Sequence, residues 1–387
     1  MKLRSHFLTS SLAATALSVA MMAPSYAETV KIGVNQPLTG AIAASGNYIL
    51  EGAKIAADEI NANGGVKGKK IQLVVEDNKG NPTEAANVTE KLIVRDKVPV
   101  IMGAWGSTLT LASMPKLMEY KVPMVVETSS SVKITKSGNP YVFRLAPTSA
   151  IEADNFVRYI EPLGIKKADL LVVNNDWGRG AAVEFRRVLE ANGATIGKEL
   201  IMDAAAQDMT SQLSEIRSSD ADTLIVTTAV EQLTLLLKQA QSLGLKRQIV
   251  TTGGSQSPDQ LIEQAGSAAE GSMHLLFFTP WTPDSTAHPE KSKAFIEEWN
   301  KRGLNVAGLT ESFRGYDGIY TIAAAIEAVD EVTPENIRKA LWDVKLDGLN
   351  GKISFRPDGE GDKASAQYDA ATYLVQIKDG KIVAVDD

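Results

Sequence analysis

Residues 71–102 read IQLVVEDNKGNPTEAANVTEKLIVRDKVPVIM. Ile71–Val75 is a short strand, and the cluster Asp77-Asn78-Lys79-Gly80-Asn81-Pro82 is a turn. Thr83 opens a helix through Ala86, Val88, Leu92 and Ile93, and Pro99–Met102 is a nearly continuous apolar strand. A strand, a helix and a second strand that is apolar on both faces belong to a parallel sheet covered by helices on two sides. Upstream, Val30–Val34 is a strand, Pro37–Gly40 a loop and Tyr48–Ile60 a helix closed by Asn61–Gly65. Downstream the rhythm restarts. Strands are predicted at Leu170–Val173, Thr195–Met202, Leu224–Val226 and Ile249–Thr251, and helices at Gly180–Ala191, Met209–Ser218 and Glu231–Leu243. Two α/β lobes with parallel central sheets account for this pattern. A helix over Gly315–Val329 returns the chain to the first lobe, and Tyr373–Val385, with a turn at Lys378–Lys381, makes two edge strands.

The length of 387 residues suits two lobes of roughly 150 residues each. A composition of 44% hydrophobic and 22% charged residues excludes a disordered chain. The net charge of −7, with no dense Lys/Arg block, argues against a nucleic-acid partner. There is no cysteine, hence no disulfide, no thiolate metal site and no lipidated anchor. Lys2 and Arg4, an apolar stretch from Phe7 to Ala23 diluted by Ser and Thr, and Ser25-Tyr26-Ala27 form a secretory signal predicted to be cleaved after Ala27. Export without an anchor points to a free protein of a Gram-negative periplasm.

Catalytic motifs are missing. His274 falls in an apolar strand and His288 in a Pro-flanked loop, neither beside a Ser nucleophile with an acid partner. There is no G-x-S-x-G, H-E-x-x-H or Walker A motif, and Gly178-Arg179-Gly180 lacks the third glycine of a dinucleotide fingerprint. No enzyme, cofactor or metal is expected. Two hydroxyl-rich turns stand out instead, Gly103–Thr108 and Glu127–Ser131, each directly after a buried strand. In a parallel α/β sheet the ligand crevice lies at the carboxyl ends of the strands. Backbone N–H groups at a helix start and Ser/Thr hydroxyls there make a cradle for a carboxylate. The competing reading is that Ser107 and Ser130 are helix N-caps.

Val30-Lys31-Ile32-Gly33, Pro37-Leu38-Thr39-Gly40, Gly52-Ala53, Ile60–Gly65 and Asp77-Asn78 resemble the opening of the leucine/isoleucine/valine-binding protein family. Gln239-Ala240, Leu243-Gly244-Leu245 and Ala269-Glu270-Gly271 resemble its later segments. These are periplasmic substrate-binding components of ABC transporters with the type I periplasmic-binding fold. The resemblance implies lobe I over 28–148 plus 279–372 and lobe II over 149–278 plus 373–387. Three hinge crossovers near 148, 278 and 373 would join them, with the ligand clamped between. It also implies a membrane ABC permease as partner and a monomer. Ser107 matches the hydroxyl that holds the ligand carboxylate, and Thr128 and Ser130 match the second turn. Trp177 and Tyr316 fall at or near aromatic positions. Ser45 stands where branched-chain amino-acid binders carry an aromatic, and Trp105 fills the space. The chain departs from the family at Gly253, where the acid that accepts a ligand ammonium is expected, and at Ala229, which replaces an aromatic. Asp317 and Asp176 are the substitute acids, with Asp317 as cap of the following helix the alternative. The expected ligand is a branched-chain or related amino acid; the alternative is an aromatic or other small organic acid.

Overall fold

A computed structural model describes residues 28–385; the predicted signal segment lies outside them. In the first half, strands β1 (Thr29–Gln36), β2 (Lys70–Asp77), β3 (Ile101–Gly103), β4 (Met124–Val126) and β5 (Val142–Arg144) alternate with helices α1 (Ala43–Ala62), α2 (Pro82–Val94), α3 (Ser107–Tyr120) and α4 (Lys133–Lys136). Next come α5 (Ser149–Ile160), β6 (Lys167–Val173), α6 (Asp176–Ala191), β7 (Thr195–Met202), α7 (Thr210–Ser218), β8 (Thr223–Thr227), α8 (Val230–Ser242), β9 (Gln248–Thr251), α9 (Pro258–Ala265) and β10 (Met273–Leu276). The chain finishes with α10 (Pro289–Lys301), α11 (Leu309–Glu327), α12 (Pro334–Leu341), the hairpin β11 (Leu346–Gly348) and β12 (Gly351–Ile353), then β13 (Arg356–Asp358), β14 (Ser365–Gln367), β15 (Tyr373–Lys378) and β16 (Lys381–Ala384).

Among the described residues the strands form two seven-stranded sheets, ordered β13-β14-β5-β4-β3-β1-β2 and β16-β15-β10-β9-β8-β6-β7. Both are parallel except at one edge, where β13 runs against β14 and β15 against β10 and β16. Helices cover both faces, which is why the strands carry continuous apolar runs such as Ile101-Met102 and Leu170–Val173, all buried. The chain passes between the sheets three times: between Arg144 and Ser149, between Leu276 and Pro289, and between Gln367 and Tyr373. This is the type I periplasmic-binding architecture.

Local signals set the helix starts. Asn81 accepts from the N–H groups of Thr83 and Glu84 with Pro82 at the first helical position, and Asn175 accepts from Gly178 N–H at 2.9 Å. The latter cap starts α6 four residues before the predicted Gly180, bringing Trp177 into its first turn. Helix α11 likewise begins at Leu309 rather than Gly315, so Asp317 lies in mid-helix and caps nothing.

Candidate functional site

The carboxyl ends of β1, β3 and β4 deliver Gln36, Gly103 and Val126 to the edge of the lobe I sheet, and both hydroxyl-rich turns begin there. Ser107 is the first residue of α3, whose N-cap is Gly106; Ser130 precedes α4, whose N-cap is Val132. Neither serine is an N-cap. The Ser107 Oγ instead accepts the Ser131 N–H at 3.0 Å, tying the second turn to the first while leaving its own O–H to donate. Ser129 Oγ donates to the Ala104 carbonyl at 2.8 Å, and Gln36 Oε1 accepts the Trp105 N–H at 3.2 Å. Arg144 supports the second turn from below. It is fully buried, and its guanidinium donates to the carbonyls of Ser131 (2.6 Å) and Ser129 (3.2 Å), to Gln367 Oε1 (2.6 Å) and to Thr135 Oγ1 (2.5 Å).

Lobe II closes over these turns. Ser107, Thr128 and Ser130 line a small chamber with Trp105 and, from the opposite lobe, Trp177 and Gly253. Gly253 has φ +93°, and a Cβ there would stand 2.1 Å from Trp177 Cζ2. The missing side chain at Gly253 is therefore what lets the indole lie across its backbone. The Trp177 Nε1–H is buried without a hydrogen-bond partner. Among the contacts that join the lobes across the cleft are Thr108 Oγ1 to Asp176 Oδ2 (3.0 Å), Lys133 Nζ to Asp176 Oδ1 (3.0 Å) and Arg314 Nη2 to the Gly254 carbonyl (2.6 Å). The two lobes are thus in direct contact across the cleft.

Of the remaining expected residues, Asp176 is already paired, and Tyr316, Asp317 and Ser45 line neither the chamber nor the wider cleft. Asp176 lies in the cleft, but Lys133 and Thr108 already engage its carboxylate and hold it below the usual carboxylate range against partial burial. Tyr316 packs on Phe295 and Tyr320 at 4.9 and 4.8 Å between ring centres and donates to Glu59 Oε2 at 2.7 Å, inside lobe I. Asp317 accepts the N–H groups of Leu349 (2.9 Å) and Asn350 (3.4 Å), and burial pushes its pKa up to about 6. Ser45 is buried in the first turn of α1 and lines neither the chamber nor the wider cleft.

The cleft-facing residues of α11 are Glu311 and Arg314, one turn apart and both almost fully buried, with Glu311 Oε2 3.1 Å from Arg314 Nε. At about 100° per residue, position 316 points well away from that face, while Asp317, one turn after Arg314, shares with it a small pocket lined also by Glu127 and Asn350. Burial raises the Glu311 pKa, and Arg314, Trp105 and Ser255 oppose the rise. Arg314 also opposes the burial that pushes Glu127 up to about 7 and Glu152 up to about 8. Glu127 accepts from Gln36 at 2.5 Å, and Glu152 accepts the Gly253 N–H. Sequence reasoning had named none of these four in a role. An i, i+3 acid–base pair on an otherwise apolar helix was the available sign.

These acids give stability a definite pH dependence. A carboxyl with a folded pKa above its unfolded value binds more protons in the native state, so its contribution is complete below about pH 4.5 and is lost as pH rises through 7 to 8. Glu152→Gln keeps the acceptor for Gly253 N–H and removes the proton. Urea unfolding of the unliganded protein between pH 5 and 8 is expected to show a slope less negative by about 1.4 kcal/mol per pH unit in the variant. Parallel profiles would count against a neutral Glu152.

The chain matches the periplasmic binding protein family model over residues 29–381 and belongs to that family. Its members are solute-binding proteins. A Leu/Ile/Val-binding protein of Rhizobium johnstonii is 28% identical over 97% of this chain and 99% of its own. The LivJ substrate-binding protein of Streptococcus pneumoniae, solved in complex with isoleucine, superposes with a TM-score of 0.80 at 26% identity over 92% of this chain and 98% of that one. A solute-binding protein of an ABC transporter from R. palustris, solved with 4-hydroxybenzoate, superposes at 0.79 with 26% identity over 93% and 96%.

Proposed function

We propose that this protein captures a small carboxylate-bearing ligand between its lobes and presents the closed form to a membrane ABC permease, working as a free periplasmic monomer after removal of its signal segment. The lobes are 28–148 plus 279–372 and 149–278 plus 373–387, hinged at the three crossovers. The observation that carries the reading is the pair of tied turns at the strand ends, Ser107 bonded to Ser131 N–H, facing Trp177 of the other lobe. Among the described residues no helix is long and apolar enough to cross a membrane. A branched-chain or related amino acid is the first ligand class, supported by the Leu/Ile/Val-binding relative. An aromatic acid is the second, supported by the two indoles lining the chamber and the lack of a side chain at Gly253.

A thermal-shift screen of amino acids and benzoate-type acids tests the reading, since a ligand at 100 times its Kd adds about 2.7 kcal/mol. With the best ligand, Ser107→Ala combined with Ser130→Ala is expected to weaken binding at least about tenfold. It should also cost about 1 kcal/mol of unliganded stability, because Ser131 N–H loses its acceptor. Small-angle scattering is expected to show a smaller radius of gyration on saturation. Unchanged affinity in the double variant would remove the carboxylate cradle from the account.

A further inference from the structure

The chamber at the two turns has a volume of about 20 Å³, room for little more than a water molecule. Directly beyond it the cleft widens into a cavity of about 940 Å³, and Trp105, Gly106, Ser107 and Trp177 line both spaces. A group held at Ser107 therefore has its open side toward the larger cavity. Both lobes contribute apolar groups to its walls, Ile42 and Leu109 from one and Ala204, Ala206 and Leu235 from the other, among polar ones such as Asn175 and Gln232. One acid stands among them. Glu231, half-buried in the first turn of α8, has both carboxylate oxygens covered and no hydrogen bond from another residue, its own backbone N–H alone offsetting burial, although Lys79 and Lys238 line the same cavity. Its charge also acts unfavourably on Glu311 across the cleft, and burial raises its own pKa. An unpaired buried carboxylate is costly, and a donor brought by a ligand removes that cost.

We propose that the outer cavity is a tail subsite: the ligand is an elongated monocarboxylate, its carboxylate at the Ser107 turn, its apolar chain between the two lobes, and a protonated amine at its far end on Glu231. The assignment rests on the reading of the Ser107 and Ser130 turns as the carboxylate site. The volume supports it, because a cavity of several hundred Å³ suits a ligand well beyond amino-acid size.

Calorimetry on the whole protein with butanoate, octanoate and 8-aminooctanoate tests the subsite. Octanoate is expected to bind at least about tenfold tighter than butanoate, which lacks four of its methylenes, and Ala206→Trp, which projects an indole into the cavity, should reduce that advantage. 8-Aminooctanoate is expected to bind about fivefold or more tighter than octanoate, and Glu231→Gln should bring that ratio toward one. Octanoate binding with butanoate below detection also supports the subsite. Equal affinities for butanoate and octanoate, an amine preference that survives Glu231→Gln, or failure of all three acids while a compact amino acid binds would overturn it and leave the carboxylate cradle standing. If no carboxylate of any kind binds, the cradle falls and the tail subsite with it.

Discussion

Arg144→Leu is expected to lower the free energy of unfolding by about 3–5 kcal/mol, the range for removing one partner from a buried charged network. The side chain has no exposed surface, and four acceptors depend on it: two carbonyls of the second turn, Gln367 on the neighbouring strand and Thr135 in α4. Burial pushes its pKa down to about 9, partly offset by Asp358, so the charge is held at neutral pH at the cost of desolvation. Leucine would leave the Ser129 carbonyl unpaired inside the protein and the Ser131 carbonyl with only the Ile134 N–H, and the turn that carries Thr128 and Ser130 would lose its support. Ligand affinity should therefore fall with stability. Arg144→Lys keeps the charge but cannot reach all four acceptors, so an intermediate loss is expected. Urea unfolding followed by circular dichroism reads both. A loss below about 1 kcal/mol for the leucine variant, with affinity intact, would show that the turn holds itself.

Gly253→Ala is the second large effect. The added methyl meets Trp177 Cζ2 at 2.1 Å, and φ of +93° already disfavours any residue with a Cβ by roughly 1–2 kcal/mol. Trp177 has to leave its place across the backbone, and both the lobe and the chamber lose that packing. A total near 3 kcal/mol is expected, with ligand affinity reduced at least about tenfold. The cause can be separated with Trp177→Ala. In that background the alanine at 253 should cost only its backbone strain, so the double-mutant cycle should return a coupling of about 1 kcal/mol or more. Additive losses would mean that the clash is relieved elsewhere.

The fold was largely legible because its central strands are buried on both faces and many of its turns carry Gly or Asn. The strands β13 and β14 were not. Each has three residues, one contains Pro357, and neither shows a period; they exist because β5 offers them an edge. The two turns were legible for the same reason as the strands, since hydroxyls directly after a buried strand must face the crevice. Trp105 and Trp177 were implied by the family resemblance, and the structure brings both to the chamber. Tyr316 is turned into the lobe interior by helix phase, and Asp317, one turn after Arg314, is taken up by the N–H groups of Leu349 and Asn350, which lie more than thirty positions away in the chain. Glu311 and Arg314 look like a solvated i, i+3 pair in the sequence, and their burial arises only where the lobes meet. Asp176 looked free because its partners, Thr108 and Lys133, come from the other lobe.

Both sheets are finished by the end of the chain: β14 covers β5 in one and β15 covers β10 in the other. A polypeptide emerging N-terminus first carries two incomplete sheets, each with an unpaired edge, through most of its synthesis. Its pairings span 223 positions in one sheet and about 100 in the other, so the last segment acts as a common clasp and the two halves mature together rather than in succession. Truncation before Ser365 should therefore damage both halves at once, and a chain that delays its own completion in this way stays open to threading until its final residues arrive.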